Sequence, residues 1–96
     1  MIPENNLHDI IMASPNLQCK IMGNRLTAHF KEPDPVICSG LERLRDDPYH
    51  DILQMFYGRH KLLQAIAIAK HADRSTIVRH KRNLLLRLFH ICYGSC

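Results

Sequence analysis

Few of the features that mark an enzyme or a secreted protein occur in this chain. Its four cysteines, at 19, 38, 92 and 96, make no paired C-x-x-C framework. Met1-Ile-Pro-Glu4 has neither the basic stretch nor the apolar run of a signal peptide, so a reducing cytoplasm is expected rather than a disulfide-stapled exterior. Long hydrophobic runs are missing too. Leu62 to Ala69 contains Gln64, and Leu84 to Cys92 is broken by Arg87 and His90, whereas a membrane span needs roughly 20 apolar residues. No membrane contact is expected. The four glycines stand singly, which excludes a glycine-rich phosphate loop. The seven histidines are scattered, without a His-x-x-x-His pair, which leaves no obvious metal or acid–base constellation. His90-x-Cys92-x-x-x-Cys96 supplies three zinc-type donors but no fourth at a recognisable spacing, so Cys92 is expected to be a small apolar residue. Neither catalysis nor a cofactor follows from this inventory.

Acidic residues are scarce in one half only. Residues 1–51 hold eight acids against five Lys/Arg, a net −3, and residues 52–96 hold one acid against eight, a net +7. The C-terminal half is therefore where a polyanion would bind. Ninety-six residues, 46% of them hydrophobic, suit one small core and leave nothing for a second.

Turn signals and apolar spacing make the chain all-α. Asn5–Ala13 is expected as a short helix, followed by one from Pro15 to Phe30 with Leu17, Ile21, Leu26 and Phe30 as its stripe, interrupted by Gly23. Lys31-Glu-Pro-Asp-Pro35 breaks the pattern, since a proline disfavours helix in the residue before it. A third helix is expected over Val36–Arg45, with Asp46-Asp-Pro48 as its stop. Tyr49, Ile52, Leu53, Phe56 and Tyr57 fall at i, i+3, i+4, i+7 and i+8, the spacing of an amphipathic helix. Gly58 ends it. Lys61–His71 follows, with Leu62, Leu63, Ile66 and Ala67 inside.

The most informative segment is Asp73-Arg-Ser-Thr-Ile-Val-Arg-His-Lys-Arg-Asn-Leu-Leu-Leu-Arg-Leu88. Asp73 can accept hydrogen bonds from the first-turn amides, so a helix over 73–90 is expected to start there. With Ile77 as reference and about 100° per residue, Ile77, Leu84, Leu88 and Ile91 share one face while Ser75, Arg79, Arg82 and Asn83 point away from it. The tight link to the preceding helix suits a helix-turn-helix, whose second helix enters the major groove. Ile52, Leu53, Phe56, Ile66, Ile77, Leu84 and Leu88 form the expected core. Leu86 falls among polar positions, and with Leu85 and Phe89 it suggests an apolar strip for the N-terminal helices or a partner.

Leu41-Glu-Arg-Leu-Arg-Asp-Asp-Pro-Tyr-His-Asp-Ile-Leu-Gln-Met-Phe-Tyr57 and Ala65-Ile-Ala-Ile-Ala-Lys-His-Ala-Asp-Arg-Ser-Thr-Ile-Val-Arg-His-Lys-Arg-Asn-Leu-Leu85 together resemble the helix-turn-helix of sigma factor region four. They are closer still to the ArpU/RinA-type transcriptional regulators of Gram-positive phages. The shared pattern is Ile52-Leu53 with Tyr57, then Ile66-Ala67, then Thr76-Ile77 opening a basic helix that ends at Leu84. Lys70 stands where the pattern has a buried leucine, and Ala72 where it has a larger aliphatic, so thin packing is expected at the turn. The resemblance implies a DNA-binding regulator of transcription.

These readings combine into one expectation. Residues 1–40 form a helical extension for dimerisation or partner contact, and residues 41–96 a helix-turn-helix domain that is not an enzyme. Ser75, Thr76, Arg79 and Asn83 would reach base edges of double-stranded DNA, while Arg74, His80, Arg82 and Arg87 would sit on phosphates. A homodimer is expected through the acidic N-terminal helices. The alternative is a degenerate helix-turn-helix that docks on RNA polymerase or a partner regulator through Leu85, Leu86 and Phe89.

Overall fold

Proline and a small acceptor open two successive helices. The computed structural model describes residues 11–94; most of the helix expected at 5–13 lies outside them. Ser14 accepts a hydrogen bond from the Leu17 amide at 3.3 Å, and Pro15 then begins α1 (Pro15–His29). Asp34 accepts from the Val36 amide at 2.9 Å and Pro35 begins α2 (Pro35–Arg43). Each acceptor satisfies an amide that the first helical turn leaves open, and each proline sits where its missing N–H costs nothing. After the turn 44–51 the chain makes a short helical stretch, Ile52–Leu53, that widens into a π-helical turn, Gln54–Gly58. α3 (Leu63–Ala69) and α4 (Arg74–Phe89) follow, and a second π-helical turn, His90–Gly94, closes the described chain. All regular elements among the described residues are helical.

Three expectations about local structure are corrected here. Leu62, expected inside the helix 61–71, precedes α3 as its cap residue and is 75% exposed. Tyr49–Tyr57 is not a continuous α-helix. Residues 48–51 turn, and the wider π path over Gln54–Gly58 sets Phe56 and Tyr57 side by side, their rings 4.8 Å apart and nearly perpendicular. Both aromatics are half-buried, with Tyr57 lying against α1 where Gly23 leaves room: a Cβ there would come within 3.0 Å of its hydroxyl. Asp73, although extended at the start of α4, makes no side-chain cap hydrogen bond; its carbonyl accepts from the Ile77 amide and its exposed carboxylate stays in solvent. What remains of its effect is the charge at the helix start.

One core joins all four helices. Met22 and Leu26 of α1, Ile37 of α2, Leu44, Ile52, Leu53, Ile66 of α3, and Ile77, Leu84, Leu85 and Leu88 of α4 are buried together. Of the seven expected core residues only Phe56 differs, being half-buried. The row that α1 buries is Gln18, Met22 and Leu26, with Leu17, Ile21 and Phe30 flanking it. Gln18 is tolerated inside because its amide nitrogen donates to the carbonyls of Ile11 and Met12 at 2.9 and 3.0 Å, so no polar group is stranded.

α1 covers the C-terminal half of α4. Asn16 and Cys19 meet Arg82, and Arg25 meets Tyr93 beyond the end of α4, so the contacts climb together and the two helices run in the same direction. Leu85 and Phe89 are 3% and 2% exposed as a result, and only Leu86 is half-exposed. The apolar strip expected as a partner surface is therefore closed inside the chain. Of the stripe expected for α1, Leu26 is buried in the core, Ile21 and Phe30 pack against it, and Leu17 is half-buried beside it.

Candidate nucleic-acid interface

α3 and α4 pack on one another, joined by the turn Lys70–Asp73. α3 ends in a Schellman arrangement: the Ala72 amide donates to the Ala67 carbonyl at 3.0 Å and the His71 amide to that of Ile68 at 3.2 Å. This motif places the residue after the cap in the left-handed region, and here it is His71, with φ 55°. Ala72 packs against the core at the turn. Lys70 does not leave a hole where the resembling pattern has leucine. It is half-buried and its ammonium lies 2.6 Å from Asp51 Oδ1. That oxygen is buried and has no other donor, so the ion pair fills the role of packing with charge.

The outward face of α4 is built by the half of the helix that α1 leaves open. Arg74, Ser75, Val78, Arg79, Arg82 and Asn83 are all exposed. α4 carries no acidic residue, and Arg74 and Arg79 have no hydrogen-bond or ion-pair partner among the described residues. Arg82 is exposed and steadied, its guanidinium donating to Asn16 Oδ1 at 2.6 Å. Thr76 is half-buried at the edge of this face.

His80 and Arg87 stand apart from the other expected site residues. They lie seven positions apart, on the flank of α4 that meets the turn Asp46–Tyr49. The His80 ring stacks on Tyr49, centroids 3.9 Å apart and planes 12° from parallel. Arg87 donates to Asp46 and Asp47 at 3.4 and 3.3 Å, and Asp47 also accepts from the Tyr49 amide at 2.8 Å. This turn braces α4 at two points and holds the charge of Arg87 on carboxylates. Sequence reasoning treated Asp46 and Asp47 as a helix stop; nothing local could announce partners forty residues away.

Lys81 was overlooked by its spacing and by its charge. Its ammonium sits over the Phe56 ring, 4.1 Å from the centroid, and 5.6 Å from that of Tyr57, a cation–π arrangement in a half-buried setting. Burial pushes the Lys81 ammonium below its ordinary pKa and pushes the Tyr57 phenol above its own. Cys19, close to Arg82, is also raised by burial. Lys81 thus fastens α4 to the π-helical turn instead of facing outward.

No family model, curated protein or solved structure matches this chain. Among the described residues no helix is long and apolar enough to cross a membrane, and no group of three or more His, Cys, Asp or Glu is placed to hold a metal.

Proposed function

We propose that this protein is a sequence-specific DNA-binding transcriptional regulator of phage or prophage type, with α3 and α4 as its helix-turn-helix and the outward face of α4 in the major groove. The observation that carries the reading is the pair Arg74 and Arg79, exposed and without a hydrogen-bond or ion-pair partner among the described residues, on a helix free of acids. An arginine that finds no carboxylate within its own fold keeps its full capacity for phosphate or for the O6 and N7 of guanine. Arg79, about 200° from the buried Ile77, is the base-reading candidate, with Ser75 and Asn83 beside it. Arg74 and Arg82 flank it as phosphate contacts. Thr76 and Leu86 mark the borders of the face. His80 and Arg87 serve the fold, holding α4 at the angle in which the other side chains can reach a groove.

Sequence selection from a random duplex library, at a stated salt concentration, tests the reading. Arg79→Ala is expected to relax preference at one base pair, a loss of about 1–3 kcal/mol of discrimination, and Arg82→Ala to weaken all duplexes alike. Both proteins remain folded, because both side chains lie outside the core. Selection that enriches no sequence, or equal behaviour of the two variants on specific and random DNA, would sink the assignment.

A further inference from the structure

A second surface adjoins the start of α4 and shares only Arg74 with the proposed DNA-reading face. It is a groove between the π-helical turn and the first residues of α3. Phe56, Tyr57, Leu62 and Leu63 line it together with Lys61 and Arg74, and none of the residues that line it is acidic. Leu62 stands at its edge, 75% exposed, although it is a large aliphatic side chain. Covering it together with the apolar lining beside it would remove apolar area from water.

The charge and shape of the groove narrow its occupant. A lining that combines two cations with apolar side chains is complementary to carboxylates set beside one large apolar side chain. A nucleobase fits less well. Stacking requires an open aromatic face, and here the Phe56 face already carries the Lys81 ammonium while the Tyr57 ring is packed against α1 at Gly23. We infer that the groove docks a short acidic segment of a partner protein, with one leucine- or phenylalanine-sized anchor entering beside Leu62 and Leu63 and its flanking carboxylates meeting Lys61 and Arg74. Arg74 is shared with the proposed DNA-reading face, whereas Lys61, Leu62 and Leu63 belong to the groove alone and report on it separately.

The test is a nuclear magnetic resonance titration of the whole, isotope-labelled protein with two unlabelled peptides. Each has acidic residues on both sides of a central position, which is leucine in one and alanine in the other. The leucine peptide is expected to shift the amides of Leu62, Leu63, Gln64 and Arg74, and the alanine peptide to bind about tenfold more weakly. Leu62→Ser and Lys61→Glu should each weaken the leucine peptide by about fivefold or more. Both side chains are exposed, and serine at position 62 suits the cap of α3, so a thermal midpoint that does not fall separates a lost contact from a lost fold. Equal binding of the two peptides, or shifts confined to the outward face of α4, would overturn the proposal. So would the absence of shifts at millimolar peptide, or single-stranded DNA giving the same shifts at lower concentration. Concentration-dependent shifts at the groove in the free protein would replace the partner with a second copy of this chain.

Discussion

His71 holds the turn between α3 and α4 in a conformation that side chains adopt at a cost. Its φ of 55° lies in the left-handed region, worth roughly 1–2 kcal/mol of strain for a residue with a Cβ. His71→Gly is therefore expected to leave stability unchanged or to raise it by up to about 1 kcal/mol, the gain being limited by the greater freedom of glycine in the unfolded chain. His71→Val should lose about 1–2 kcal/mol, since β-branching makes this region still less accessible. Urea midpoints of the two variants check it; a valine protein as stable as the parent would mean that the turn is not held as described. A second residue-scale expectation concerns acid. The Arg25 guanidinium, 2.7 Å from Asp34, holds the Asp34 carboxyl below its usual range, helped by the Val36 amide. A depressed carboxyl contributes stability above its unfolded pKa of about 3.9 and loses it as pH falls through the lower folded value. Thermal midpoints of the parent and Asp34→Asn should thus differ near neutrality and converge on acidification. A difference that stays constant to the lowest pH measured would remove this pair from the stability of the α2 start.

α4 was the most legible element because its information is local. The spacing of Ile77, Leu84 and Leu88 sets the buried face, and the expected span 73–90 differs from Arg74–Phe89 by a residue at each end. The outward positions Ser75, Arg79, Arg82 and Asn83 were legible for the same reason. Period alone could not show that α1 would lie along the same helix and bury Leu85 and Phe89, nor that Lys81 would turn onto Phe56. These depend on residues far away in the sequence, as does the brace of Arg87 by Asp46 and Asp47. The segment 49–57 misled through its spacing: five apolar positions fit an α-helix, but packing of Tyr57 over Gly23 favours the wider turn. Helix packing makes its own prediction at Gly40 of α2, where a Cβ would fall 2.6 Å from Leu88 Cδ1 and 3.4 Å from Cys92 Sγ. Helix propensity by itself favours alanine over glycine by about 1 kcal/mol, whereas overpacking costs about 1–3 kcal/mol. Because Leu88 is fully buried and has little room to move, Gly40→Ala is expected to be destabilising on balance. A higher thermal midpoint would show that α2 stands farther from α4.

At the scale of the whole molecule, the charge asymmetry of the sequence becomes a spatial one only in part. Three basic groups of the C-terminal half are turned to internal partners: Lys70 to Asp51, Arg87 to Asp46 and Asp47, and Lys81 to the aromatic pair. The cations left for an external polyanion are concentrated on the open half of α4 and at the neighbouring groove, with Arg74 common to both. The number of phosphates the protein neutralises should accordingly be smaller than its count of basic residues suggests. The most direct measurement is the affinity for duplex DNA, by fluorescence anisotropy, over a series of salt concentrations. Each phosphate contact contributes a slope of about −0.9 to the log–log plot. We expect a clear negative slope that becomes shallower by about one unit in Arg82→Ala and does not change in Arg87→Ala. Salt-independent binding, no binding to any duplex, or a slope that responds to Arg87 and not to Arg82 would contradict the assignment of the DNA-binding face to the outward side of α4.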